Sequence, residues 1–154
     1  FLTKTGVRTF EAAAFLRRCG ADVTRVRKMF REHVEDYRAK GEAIRNAELF
    51  REHFAISVCP SEGLDSPTVV GAQAANELLN IIGVKASFVL TDYRNTIYIS
   101  ARSIDEINVQ IVMERLGGGG HLNIAGAQLE HYSITEAKDV LKQTLQKMLD
   151  EGDI

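Results

Sequence analysis

The chain has 154 residues, of which 45% are hydrophobic and 26% charged, the balance of a folded globular protein. Two prolines and no low-complexity tract argue against disorder, and no apolar run approaches the roughly 20 residues of a membrane-spanning helix. The net charge of −2 divides into +4 over residues 1–52 (12 Lys+Arg, 8 Asp+Glu) and −6 over residues 53–154 (7 and 13), so the larger part lacks the broad basic surface of a protein that binds long nucleic acid.

Residues 9–19 predict a helix capped by Thr9, with Phe10, Ala13, Ala14 and Leu16 as its apolar stripe and Gly20 as its end. Asp22 caps a second helix carrying Val26, Met29 and Phe30. Residues 33–50 predict a longer charged helix, with Val34, Tyr37, Ile44, Ala47 and Phe50 inward. The pattern then changes. A strand over 54–58, a loop over 60–67, a helix over 69–81 stopped by Gly83, and a strand over 86–90 make a strand-helix-strand unit with parallel pairing. A turn at 92–95 and a strand over 96–101 complete a hairpin. Asp105 caps a helix from 106 to 116, and a short strand near 129–132 follows the glycine run. Ser133 with Glu136 fits a capping box for a last helix reaching Leu149. Residues 1–50 thus predict an all-helical segment, and residues 51–154 an α/β domain with a mixed sheet flanked by helices.

The strongest chemical signal is Gly117-Gly118-Gly119-Gly120-His121. Four residues without Cβ allow positive φ and close approach of backbone to ligand, and successive N–H groups can converge on an anion. Leu122 to Ala127 is expected to open a short helix whose free N–H groups add to that site. His121 can donate to a phosphate oxygen or transfer a proton. Arg102, just beyond a strand, is placed to aim a guanidinium at phosphate, with Ser100 and Ser103 as hydroxyl partners. Asn123 and Gln128 flank the loop as candidates to read a base edge. The run is neither a Walker loop nor a dinucleotide fingerprint, since no Gly-Lys-Ser/Thr follows and the spacing is not GxGxxG.

Other polar residues read as structural. His33, His53 and His131 have no ligand spacing around them, and no Cys/His or clustered aspartate set points to a metal. Glu32, Glu35 and Asp36 read as a solvated helix face, as do the basic residues Arg17, Arg18, Arg25, Arg27, Lys28 and Arg31. Cys19 and Cys59 form no disulfide framework, which fits a cytosolic setting.

The stretch from Gly117 to Ala127 resembles the glycine-histidine motif of the DHHA1 domain, the C-terminal partner in DHH-family phosphoesterases. Three further stretches are similar to the membrane-bound GdpP (YybT)-type branch, which hydrolyses cyclic di-AMP: Lys4 to Glu11, Gln73 to Asn80, and Ile99 to Ser103 running on to Ile107 through Gln110. The resemblance implies a phosphodiesterase in which a DHH domain holds manganese and the DHHA1 domain grips the nucleotide. It assigns Gly118, Gly119, Gly120, His121 and Asn123 to the substrate loop and Arg102 to the substrate-facing arginine. It makes residues 1–50 the last DHH helices and connector. No Asp-His-His triplet occurs, so the metal motifs are expected before Phe1, with no metal and no catalytic residue in this chain and no hydrolysis by it alone. The implied partners are a cyclic or linear dinucleotide and the preceding DHH domain, with a homodimer left open. The implied location is the cytoplasmic face of a bacterial membrane in which the parent is anchored. Two alternatives stay open: a phosphoesterase of linear dinucleotides or short single strands, and a noncatalytic nucleotide-binding or interaction module.

Overall fold

The computed structural model describes residues 5–104 and 106–154. It divides into one unit running to His33 and another from Val34 to Ile154.

In the first unit, α1 (Val7–Arg18) starts after an extended Gly6 with no side-chain cap, so Thr9 sits inside the helix rather than at its end. α2 (Val23–Met29) is capped where the sequence predicts: the Asp22 carboxylate accepts from the Thr24 and Arg25 N–H groups at 2.9 and 3.3 Å. Neither helix buries a residue, and Phe10, Phe15, Leu16, Met29 and Phe30 are exposed, so the apolar stripe of α1 and the apolar residues of α2 are uncovered.

The second unit opens with α3 (Val34–Arg45), which ends five residues before the predicted limit. Glu48–Phe50 instead form an edge strand, β1, antiparallel to β2 (Phe54–Cys59). Arg51 and Glu52 take positive φ in the tight turn between them. Strand pairing outweighs the local helical preference of this segment. On α3, Ala39 and Ala43 are the buried residues, whereas Val34 and Tyr37 are exposed, against expectation.

α4 (Pro67–Leu78) begins two residues earlier than predicted, with proline at its favoured first position. It connects β2 to β3 (Ala86–Tyr93), which pair in parallel as the sequence implies. β3 turns back into β4 (Thr96–Ser103) through Arg94 and Asn95, both at positive φ, the signature of a tight I′ hairpin. α5 (Val109–Arg115) is capped by Asn108, whose side chain accepts from the Gln110 N–H at 3.1 Å. It starts later than predicted, and the cap expected at Asp105 lies outside the described residues. β5 (Gly119–His121), β6 (Ile124–Glu130) and α6 (Ile134–Glu151) follow. The capping box of α6 forms as predicted: the Glu136 carboxylate accepts from the Ser133 N–H at 2.8 Å, and the Ser133 hydroxyl accepts from the Glu136 N–H at 3.3 Å.

The six strands lie in the order β1-β2-β3-β4-β6-β5, mixed as expected for an α/β domain. One face packs on α5 and α6 along its length: Ile56, Phe88, Leu90, Ile97, Ile99, Ala125 and Ala127 meet Val112, Met113, Leu141, Leu145 and Met148. On the other face, α3 and α4 cover Ala55, Cys59 and Val89 of β2 and β3, through Ala43, Val70, Ala74, Ala75 and Leu78. Two buried serines tie this layer down, Ser57 donating to the Ala43 carbonyl at 2.5 Å and Ser87 to the Ala75 carbonyl at 2.6 Å. Polar groups buried with a partner avoid a desolvation loss, so they position the helices without destabilising the core.

Candidate functional site

Strand register carries the α4 face beyond the helices that cover it. Ser87 pairs with Arg102, Val89 with Ser100 and Thr91 with Tyr98, so Tyr98, Ser100 and Arg102 share the face on which α4 lies. β4 alternates accordingly: these residues are half-buried while Ile97, Ile99, Ala101 and Ser103 are buried beneath. The alternation continues across β6 and β5. Three rows cross the open face: Arg102 beside Ile124 and His121, Ser100 beside Gly126 and Gly119, and Tyr98 beside Gln128. A cleft of about 520 Å³ lies over this floor, lined by Thr68, Tyr98, Ser100, Gly126, Gln128 and the backbone of Gly117 to Gly119.

The four glycines do different things. Gly117, at φ +77°, ends α5 in a Schellman turn, its N–H donating to the Glu114 carbonyl at 3.0 Å and that of Gly118 to the Met113 carbonyl at 2.8 Å. A Cβ on Gly118 would run into the Gly126 carbonyl and sit 2.7 Å from Ala127. Gly119 meets nothing within 4 Å and faces the cleft, and Gly120 packs on Ala125 from the other side. The chain does not enter a short helix after His121. Gly119–His121 and Ile124–Glu130 form a hairpin at the sheet edge, so residues 122–127 supply no helix N-terminus. β6 also replaces the short strand predicted near 129–132. The physical reason is the glycine run itself, which lets this segment approach β6 where a side chain at Gly118 or Gly120 would collide.

Arg102 lies within β4 rather than beyond its end. Its Nη1 donates to the Ala101 carbonyl at 2.8 Å, and among the described residues no carboxylate pairs with it. Burial lowers its pKa from the ordinary value, but a guanidinium stays charged. It is a half-buried cation with no carboxylate partner among the described residues, the kind of group an anion would satisfy. His121 is exposed and shares the Arg102 row. Ser103 points the opposite way: it is buried, and its hydroxyl donates to the Leu122 carbonyl at 3.4 Å. Asn123 sits in the β5–β6 turn, where its Nδ2 donates to the Ser103 carbonyl at 3.4 Å. Arg102, His121 and Asn123 do not line the cleft itself, whereas Gly118 and Gly119 do.

Two lining residues were not singled out from sequence. Tyr98 carried a usable signal, since it stands two and four residues before Ser100 and Arg102 on a strand of period two. Thr68 had none, because only the fold brings the start of α4 to the cleft. Among the described residues, no group of three or more His, Cys, Asp or Glu could hold a metal, so the donors present do not fit a manganese site.

The family model of the DHHA1 domain matches residues 53–148. Over 153 residues the chain is 40% identical to the cyclic-di-AMP phosphodiesterase GdpP of Geobacillus thermodenitrificans, covering 99% of this chain and 23% of that protein. It is 41% identical over 142 residues to the cyclic-di-AMP phosphodiesterase PdeA of Listeria monocytogenes, covering 92% and 22%. The chain therefore spans less than a quarter of the length of these relatives. An exopolyphosphatase-related protein from Bacteroides fragilis shares the fold, with a TM-score of 0.80 at 22% identity over 94% of this chain and 44% of that one.

Proposed function

This chain belongs to the DHHA1 domain family, and on that footing we propose that it is the substrate-gripping portion of a phosphodiesterase that hydrolyses cyclic di-AMP to pApA. The observation that carries the proposal is the half-buried Arg102, with no carboxylate partner among the described residues, on an open sheet face whose neighbouring row is glycine-floored. A cation in a partly desolvated position attracts phosphate more strongly than one in bulk water. His121, in the same row, donates a second hydrogen bond to the phosphate, and Gly118 and Gly119 leave the space in which it sits. The names of the relatives supply the cyclic dinucleotide.

In this proposal the manganese chemistry belongs to a preceding DHH domain, and the chain contributes binding and orientation only. The isolated chain does not hydrolyse cyclic di-AMP. The uncovered apolar side chains of α1 and α2 support a role for the first unit against that domain, as its last helices and the connector. No helix among the described residues is long and apolar enough to cross a membrane. The anchor of the parent, with this chain on its cytoplasmic face, is assigned to other segments.

Calorimetry with cyclic di-AMP tests the site. Arg102→Ala and His121→Ala are each expected to weaken binding by roughly tenfold or more, the scale of a charge-assisted hydrogen bond. Unchanged affinity in both variants overturns the proposal. Turnover of cyclic di-AMP by the isolated chain with manganese overturns the division of labour.

A further inference from the structure

The cleft begins beside the phosphate-binding row, at Ser100, Gly119 and Gly126, and its far end has a chemistry of its own. We propose that Tyr98 and Gln128 form its base-recognising end, and that the Gln128 amide makes this end prefer adenine to guanine. The inference rests on the nucleotide site proposed above and names its specificity residues.

Register sets the layout. Arg102 and His121 mark one row, Ser100, Gly126 and Gly119 the next, and Tyr98 and Gln128 the third. Rows two residues apart on a strand are separated by about 6.7 Å, so the first and third lie roughly 13 Å apart at their Cα atoms. A nucleotide whose phosphate meets Arg102 thus directs its base toward Tyr98 and Gln128. The middle row bears no side chain larger than a hydroxymethyl, so ribose and ring can cross it close to the sheet.

Both residues line the cleft, and both are available. The Tyr98 ring is half-buried and held against Tyr93, with centroids 6.5 Å apart and planes at 51°. Neither its hydroxyl nor the Gln128 amide has a hydrogen-bond partner among the described residues. Tyr98 offers a ring against which a purine can pack. Gln128 offers one acceptor and one donor side by side. On the N7 edge adenine presents the complement, N6–H₂ and N7, whereas guanine presents on that edge two acceptors, O6 and N7, and satisfies only one of the two amide groups. Asn123, the other amide considered for this role, is held to Ser103 and lies outside the cleft lining.

The test is NMR on the whole 154-residue chain with millimolar ribose 5-phosphate, 5′-AMP or 5′-GMP. Ribose 5-phosphate is expected to shift amides around Arg102 and Gly118–His121 only. AMP is expected to shift these and also the amides of Tyr98 to Ser100 and Gly126 to Gln128, with about tenfold tighter binding than GMP. Gln128→Leu removes that preference and leaves the ribose 5-phosphate response intact. Tyr98→Leu weakens both purines by roughly tenfold, with Tyr98→Phe retaining most of the affinity as the fold control. AMP shifts confined to the phosphate end, or an unchanged AMP/GMP ratio in Gln128→Leu, overturn the base subsite while the phosphate site stands. No response at the Arg102 and His121 row to any of the three overturns both.

Discussion

β2 and β3 on one side of the sheet, and β4, β6 and β5 on the other, share a single core face against α5 and α6 but differ on the face opposite. Over β2 and β3 that face is sealed by α3 and α4, and the strands read as nearly continuous buried runs. Over β4 and β6 that face is only partly covered, by the start of α4 against β4, and the strands alternate between buried and accessible residues. The more open half is therefore free to carry residues chosen for a ligand rather than for packing. A binding surface built on strands holds its groups more exactly spaced than one on loops, which is why Arg102, Ser100 and Tyr98 form ordered rows.

Substitutions sharpen this contrast. The largest effect belongs to the sealed face: Leu78→Ala, fully buried where α4 packs on β2 and β3, is expected to destabilise by about 2–5 kcal/mol in urea unfolding, while exposed Gln128→Ala on the open face stays within about 0.5 kcal/mol. Equal losses at the two positions would erase the distinction between the halves. Next comes the glycine run, where neighbours should behave differently. Gly118→Ala forces a methyl into Gly126 and Ala127 and is expected to destabilise by about 1–3 kcal/mol. Gly119→Ala meets nothing within 4 Å, so its stability should hold while its methyl narrows the cleft and lowers nucleotide affinity. If the two variants match in thermal stability, the assignment of separate duties within the run is wrong.

The smallest effect is electrostatic and lies at the sealed edge. The Glu48 carboxylate on β1 meets Lys142 and Lys138 of α6 at 2.7 and 3.1 Å. Burial pushes its pKa up, but the two lysines prevail and the net shift is downward from 4.5. A depressed folded pKa gives stabilisation that is full above the ordinary carboxyl range and is lost as pH falls through the folded value. With both partners partly exposed, the contribution is below about 1 kcal/mol. Glu48→Gln should therefore lose less stability than the native chain between pH 7 and pH 3, and equal losses would remove Glu48 from the account.

Much of this molecule was legible in its residues. Asp22 and the Ser133–Glu136 pair cap the helices they were expected to cap, because a cap depends on groups within one turn of each other. The strand-helix-strand unit and the β3–β4 hairpin follow from local periodicity and turn chemistry. The glycine run and Arg102 were conspicuous for the same reason, their chemistry being intrinsic to the residue types. What sequence left undecided was which partner each segment would find. The helices expected to include 48–50 and 122–127 gave way to strand at Glu48–Phe50 and Ile124–Ala127, because β2 and β4 offered hydrogen-bonding edges. Nor could local pattern show that the start of α4 reaches β4, so that Thr68, Tyr98 and Gln128 meet around one cleft. These outcomes depend on backbone pairing and helix placement between residues far apart in the chain, and only the tertiary structure sets them.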